Sequence, residues 1–277
     1  MRKTIIFIKN IPMRLTLLIF SGIMLLPFFW IFSTSLRDPV ESFRLPPSFF
    51  PTEFMFSNYV RVFQGVPFAN FIFNSTFVAT TAVFLQVIIT SMAAYVFARL
   101  EFRGQRILFI IILTGIMIPG AATMVPVFMI INTLGLIDNL WALILPALIN
   151  PFGIFLVRQF MRTIPKSYDE SALMDGAGRF RIYWSIILPM AVPSIMVVVM
   201  LSFIAIWNDF MGPLIYINTF ERMTLALGIN VLRGFMGMGN MSVLLAGIML
   251  TLVVPTLLFV FGQKYFMQGV IISGLKS

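Results

Sequence analysis

Long unbroken apolar runs, rather than a two-residue alternation, organise this chain. Six stand out, at about 15–36, 70–97, 107–131, 140–160, 186–208 and 243–263. A helix rising about 1.5 Å per residue crosses about 30 Å of hydrocarbon in about 20 residues, so each run is long enough to span a bilayer. Barrel strands would alternate apolar and polar positions, and these runs do not. The pattern predicts an all-α integral membrane protein with six transmembrane helices. The stretch 212–235 is partly apolar, but Glu221, Arg222 and Arg233 break it, so it reads as an external loop or a half-buried helix.

Composition agrees. Of 277 residues, 60% are hydrophobic and 10% charged, against about 45–50% and about 25% in soluble domains. Mean hydropathy is +1.00. The first run is too long for the apolar core of a signal peptide and no small-residue cleavage site follows it, so it reads as a retained span. The expected layout is residues 1–14 as an N-terminal segment, 15–36 as the first span, 37–69 as an outer loop, 70–263 as the transmembrane core and 264–277 as a tail. The outer loop carries "LPPSFFP", which suits an aromatic belt at the membrane surface or a docking surface for an external partner.

The net charge of +9 is a matter of topology rather than of nucleic-acid binding, because basic residues gather in cytoplasmic loops. Six spans put both termini on one side. That side would hold Arg2, Lys3, Lys9, Arg14, Arg99, Arg103, Arg106, Arg158, Arg162, Lys166, Arg179, Arg181, Lys264 and Lys276. The other would hold only Arg37, Arg44, Arg61, Arg222 and Arg233. Both termini are therefore expected in the cytoplasm. The chain has no cysteine and no histidine, so disulfides, thiolate ligands and imidazole chemistry are excluded, and no metal site or catalytic residue is expected.

The cores of the six runs carry no Asp, Glu, Lys or Arg; Asp209 stands only at the outer end of the fifth. Ion-coupled carriers usually place ionisable groups at depth, so a self-sufficient proton-driven carrier is disfavoured. The runs do carry prolines, in "MIPGAATMVP", "LPALINPFG" and "LPMAVP", where irregular backbone needs protein or water around it. They also carry uncharged amides at Asn74, Gln86, Asn132, Asn150 and Asn208. Two readings of these stay open: hydrogen bonds between helices, or, with Asp209, a path for a neutral polar solute. A phosphorylated solute such as glycerol phosphate would want Arg or Lys along that path, which tilts the reading toward neutral saccharides.

Uphill transport needs an energy source, and the chain has none of its own. The tail "GVIISGLKS" approaches a phosphate-binding loop, but Leu275 separates Gly274 from Lys276 and no helix follows to hold phosphates. ATP would have to be bound by another subunit. One polar interruption stands out as a place to grip it: "SYDESALMDGAGRFRIYWSIILP", Ser167 to Pro189. Ser167 and Glu170 are spaced as a capping box, Asp169 and Glu170 suit a helix start, and Gly176 suits the left-handed turn that ends a helix. The spacing predicts a helix over about 168–175, a glycine turn, and a second helix feeding the fifth span.

Glu170, Ala172, Gly176, Ile186, Leu188 and Pro189 match the spacing of the EAA motif of ABC importer permeases, with Ser171 in place of the middle alanine. Further stretches, "AAYVFARLEFRG", "WNDFMGPLIYI", "MTLALGINVL" and "GQKYFMQGVIISGLKS", resemble the second membrane subunit of maltose-type carbohydrate importers, so the resemblance runs along nearly the whole chain. It implies the type I ABC importer permease fold, with residues 161–189 as a cytoplasmic coupling loop. The implied coupling residues are Glu170, Ser171, Ala172, Asp175, Gly176, Ala177, Leu188 and Pro189. The implied partners are a second, similar permease, two ATPase subunits (alike or different) that bind ATP and Mg, an extracytoplasmic sugar-binding protein, and membrane lipid. Residues 227–235, with Asn230 and Arg233, fall where this family probes the binding protein. The resemblance makes the chain a non-enzymatic permease for a sugar or oligosaccharide.

Overall fold

A computed structural model describes residues 11–38, 49–236 and 240–274, with side chains for 13–38, 49–234 and 240–264. The first ten residues, the "LPPS" half of the proline-rich loop and the last three residues, with the charges expected there, lie outside the described residues. Among the described residues there are helices and turns but no strands.

The helices among the described residues are, in order, α1 Ile11–Ser35, α2 Ser57–Gly65, α3 Phe68–Arg99, α4 Gln105–Met117, α5 Gly120–Thr133, α6 Trp141–Ala147, α7 Pro151–Thr163, α8 Ser167–Met174, α9 Arg179–Trp207, α10 Met211–Tyr216, α11 Leu225–Met236 and α12 Met241–Gly274. α1, α3, α9 and α12 are each long and apolar enough to cross a membrane. α4 with α5, and α6 with α7, make six crossings if each bent pair counts as one.

The two bent pairs fall in the runs whose prolines pointed to irregular backbone. The 107–131 run bends by 104° between α4 and α5. Ile118 and Pro119 sit in extended backbone there, because proline disfavours the helical region for the residue before it. The 140–160 run bends by 43° between α6 and α7. Asn150 is extended at that break, its side-chain oxygen accepts from Gly153 N at 2.9 Å, and Pro151 opens the next helix. A proline lacks the N–H that a first helical position leaves unused, so it starts a helix at no cost in hydrogen bonds.

The described residues fall into two compact units, one drawn from Met1–Val66 and Ile229–Leu252, the other from Pro67–Gly228 and Val253–Ser277. In the first, the end of α1 is tied to α2 and to the chain ahead of it. Asn58 Nδ2 donates to the carbonyls of Ser35 at 3.0 Å and Arg37 at 2.8 Å. Arg37 is buried and its guanidinium lies 4.8 Å over the Trp30 ring. Phe49 and Phe50, from the expected aromatic loop, pack edge-on against Trp30 and Phe29.

In the second unit α3 is the central post. One cluster joins it to α7, α8 and α9 through Ala94, Tyr95, Val157, Met161, Ala172, Ile182 and Tyr183. Another joins its opposite half to α5, α6 and α10 through Val78, Ala82, Ile131, Ile144 and Tyr216. Gly153 lets α7 approach α9 closely, since a Cβ there would lie 3.0 Å from Val198 Cγ1. The 212–235 stretch resolves into α10, a single 3₁₀ turn at Phe220–Arg222, and α11.

Candidate functional site

α8 is an eight-residue helix outside the apolar runs, and its two ends are built differently. Its start corrects the capping-box expectation. Ser167 is the first helical residue, Lys166 occupies the cap in helical backbone, and no side chain caps the helix. Asp169 and Glu170 still lie in the first turn, where they meet the positive end of the helix dipole. The C-terminal end follows expectation. Gly176 adopts φ +77, its N–H donates to Leu173 O at 3.0 Å, and Ala177 N–H donates to Ala172 O at 2.9 Å. That pair of bonds closes the last turn through a left-handed residue. No neighbour lies within 4 Å of where a Gly176 Cβ would be, so backbone conformation, not space, calls for glycine.

One face of α8 is sealed against the unit. Ala172 is buried beside Tyr95, Met161 and Ile182. Asp169, one turn earlier, pairs through Oδ2 with Arg99 NH1 at 3.3 Å, the two side chains only 10% and 3% exposed. Arg99 NH2 also donates to Ile164 O at 2.9 Å, so the last residue of α3 holds both ends of the 164–169 segment. No motif marks this pair: by sequence Asp169 reads as a helix-start residue and Arg99 as a loop cation. Glu170, Ser171 and Asp175 point outward with Leu173 and with Met174, which is 89% exposed. A small open cavity of about 530 Å³ beside the helix is lined by Arg99, Glu101, Lys166, Asp169, Glu170 and Arg179, among others.

Past the glycine turn, Tyr95 Oη donates to Arg179 O at 3.1 Å, and Tyr183 Oη and Ser91 Oγ share a bond of 2.9 Å. Residues 183–187 form one wide π turn, with Leu188 N–H bonded to Tyr183 O. Pro189 follows immediately and has no N–H to continue the regular ladder. Leu188 is half-buried against the cluster and Pro189 is exposed. α8 is thus joined to α3 by an ion pair on its buried face and to α9 by a tight turn.

The candidate path residues divide. Asn74 Nδ2 donates to the carbonyls of Glu221 and Met223 at 2.8 and 3.0 Å, and Gln86 Nε2 to Ala147 O at 2.6 Å. Asn150 caps α7 and reaches Ser202 Oγ at 3.1 Å. These three amides brace helices, which is the first of the two readings left open for them. Asn208 is exposed and donates to Ile204 O at 2.8 Å. Asp209 is exposed, accepts from Gly212 N at 3.2 Å, and lines a cavity of about 460 Å³ with Thr123, Met124, Met211 and Tyr216. No Lys or Arg lines that cavity. Asn230 and Arg233 lie exposed on α11.

Asp138 carries a further cluster with no warning in any motif. It is the one non-glycine at positive φ among the described residues. Oδ1 accepts from the N–H groups of Asn218 at 3.0 Å and Thr219 at 2.8 Å, and Oδ2 accepts from Thr219 Oγ1. Arg222 NH1 lies 3.0 Å from Oδ2. The Thr219 hydroxyl, then the backbone N–H groups and Arg222, hold the Asp138 carboxyl below its usual range. Among the described residues no group of three or more acidic side chains is placed to hold a metal ion.

Residues 86–271 match the family of the binding-protein-dependent transport system inner membrane component. The chain belongs to that family. Hydrolysis of ATP in such importers resides in a separate subunit, so this chain is a membrane component and not itself an enzyme. It is 30% identical over 273 residues to the arabinooligosaccharides transport system permease protein AraQ of Bacillus subtilis, covering 98% of this chain and 97% of that one. Over 205 residues it is 33% identical to the diacetylchitobiose uptake system permease protein NgcG of Streptomyces coelicolor, covering 73% and 67%. In structure it resembles a chain of a bacterial ABC transporter involved in the import of the acidic polysaccharide alginate, with TM-score 0.79, 27% identity and coverage of 94% and 96%.

Proposed function

We propose that this chain is one of two membrane subunits of an ATP-driven importer for neutral oligosaccharides, with α8 as the helix that grips an ATPase subunit. The observation that carries the proposal is the construction of α8: sealed on one face by Ala172 and the Arg99–Asp169 pair, and free on the other at Glu170, Ser171 and Met174. A helix held this way is a lever. ATP binding that draws two ATPase subunits together would shift such levers on both permeases, biasing packed helix bundles between inward- and outward-facing states. A binding protein delivers the sugar from outside, and Asn230 and Arg233 on α11 are candidates for meeting it. The basic loops around α8 then face the cytoplasm.

The saccharide reading draws on the relatives' named cargoes and on the cavity at Asp209. A carboxylate, a hydroxyl and a tyrosine suit sugar hydroxyls and a sugar face. The same carboxylate, with no Lys or Arg near it, disfavours an acidic polymer such as the alginate named for the structural relative.

The test is Gly176→Arg in the complete assembly. A bulky cation forced into left-handed backbone should abolish uptake of a labelled neutral oligosaccharide and weaken ATPase co-purification, while the chain still inserts in the membrane. Undiminished uptake and co-purification would refute α8 as the grip. Accumulation driven by an ion gradient in vesicles lacking the ATPase would refute the importer reading altogether.

A further inference from the structure

Five cations, Arg99, Arg106, Arg158, Arg162 and Lys166, line a cavity of about 520 Å³ beside α4 and α7, and Glu101 is the only acid among its lining residues. Three of the five are accounted for. Arg99 is committed to Asp169 and Ile164 O. Lys166 lies 3.6 Å from Glu101. Arg158 Nε donates to Phe97 O at 2.9 Å and its guanidinium lies 3.9 Å over the Phe109 ring, which fixes it as part of the wall. Arg106 and Arg162 are exposed, and neither has a hydrogen bond or ion pair among the described residues. Arg158 and Arg162 stand four apart on one helix, an arrangement of like charges that opposes the helix unless an anion sits between them.

The cavity has a second character. Phe109 and Ile110 form part of its lining, and Ile110 continues onto an exposed apolar face of α4 with Ile107 and Ile111. Arg106 is the second residue of α4 and Arg162 the penultimate residue of α7. The cations therefore sit at the ends of apolar helices, where a spanning helix meets lipid headgroups, with a hydrocarbon-compatible wall leading away from them. Basic pockets between helices at this level select anionic headgroups. A soluble phosphate would use the cations but not the wall.

We infer that this cavity is a site for an anionic phospholipid, its phosphate held between Arg106 and Arg162 and its acyl chains running along α4. The site adjoins the cavity beside α8, sharing Arg99, Glu101 and Lys166 with it, but Arg106 and Arg162 line only this one, and it does not depend on what the chain transports.

The assembled complex, purified in detergent, is incubated with equal amounts of dioleoyl phosphatidylglycerol and dioleoyl phosphatidylcholine, and the retained lipid is counted by native mass spectrometry. Two unpaired arginines should favour phosphatidylglycerol by about tenfold or more. The double variant Arg106→Gln with Arg162→Gln should lose most of that preference. Arg106→Lys with Arg162→Lys should keep it, which separates loss of charge from loss of fold. Millimolar inorganic phosphate should leave the bound phosphatidylglycerol in place. Equal retention of both lipids, an unchanged preference in the glutamine variant, or displacement by inorganic phosphate would each overturn the inference. So would a glutamine variant that keeps its lipid preference but releases the ATPase, which would make the patch a protein contact.

Discussion

Replacing Asp169 by alanine isolates the brace under α8. The carboxylate is 10% exposed and its partner guanidinium 3% exposed, so the substitution leaves a largely buried charge without its partner. Arg99 keeps one bond, to Ile164 O, which offsets part of the loss. Removing one member of a buried pair costs about 3–5 kcal/mol; with that residual bond the lower figure applies, about 3 kcal/mol or roughly 150-fold in a local opening equilibrium. The loss should be local, because Ala172 and the glycine turn continue to hold the other end of the helix. Hydrogen exchange over 167–174 reads it directly, since local opening is measured segment by segment. Protection there should fall by about two orders of magnitude, with the middle of α3 unchanged, and ATP-driven uptake should fall while ATP hydrolysis continues. The apolar double replacement Arg99→Met with Asp169→Leu should recover much of the protection, because no unpaired charge remains. Equal exchange in Asp169→Ala and the parent chain would refute the brace. A double variant no better than either single one would show that packing, not charge, is at stake.

Gly228→Ala should disturb the second unit where α3 meets the start of α11. A Cβ there would lie 2.2 Å from Phe71 Cδ2, an overlap that costs about 1–3 kcal/mol once the ring is displaced; melting of the purified chain should shift down, and Phe71→Leu should restore part of the shift. Asp138 gives a pH prediction. Its folded carboxyl titrates below the ordinary aspartate range, so the stability it contributes is fully present above that range and is lost as pH falls through the lower folded value. The stability difference between the parent chain and Asp138→Ala should therefore be constant from neutral pH down to the ordinary aspartate range and shrink only below it. A difference that grew on acidification would contradict the assignment.

How much of this was legible in the residues follows from the range of each interaction. The six apolar runs were legible because a bilayer imposes length and continuity on every span. The 104° turn was half legible. "MIPG" announced a break, but the angle depends on where α5 packs, and that comes from Val78, Ala142 and Tyr216 far along the chain. The glycine turn of α8 was legible because a positive φ is a local demand on one residue. The capping box failed because "S-x-x-E" spacing does not force Ser167 out of helical backbone when Pro165 and Lys166 already start the turn. Arg99–Asp169 and Asp138–Thr219 were invisible for a simpler reason: each joins segments that only the fold brings together.

The position of the charges makes a mechanical point. A helix bearing Glu170, Ser171 and Asp175 on its surface is soluble and would drift if nothing held it. Ala172 alone is too small to hold it, burying little apolar area. The Arg99–Asp169 pair adds an attraction that apolar packing lacks, and the hydrogen bond from Arg99 to Ile164 O fixes where the guanidinium sits. It also ties α8 to the very end of α3, the post shared by the core clusters of the unit. A displacement imposed on the exposed face therefore cannot be absorbed by the loop at 164–166. It must move α3 and α9 together, or break a buried ion pair. That is the property a transmission element needs, and it is why the Asp169 variant should uncouple the machine and not merely soften it.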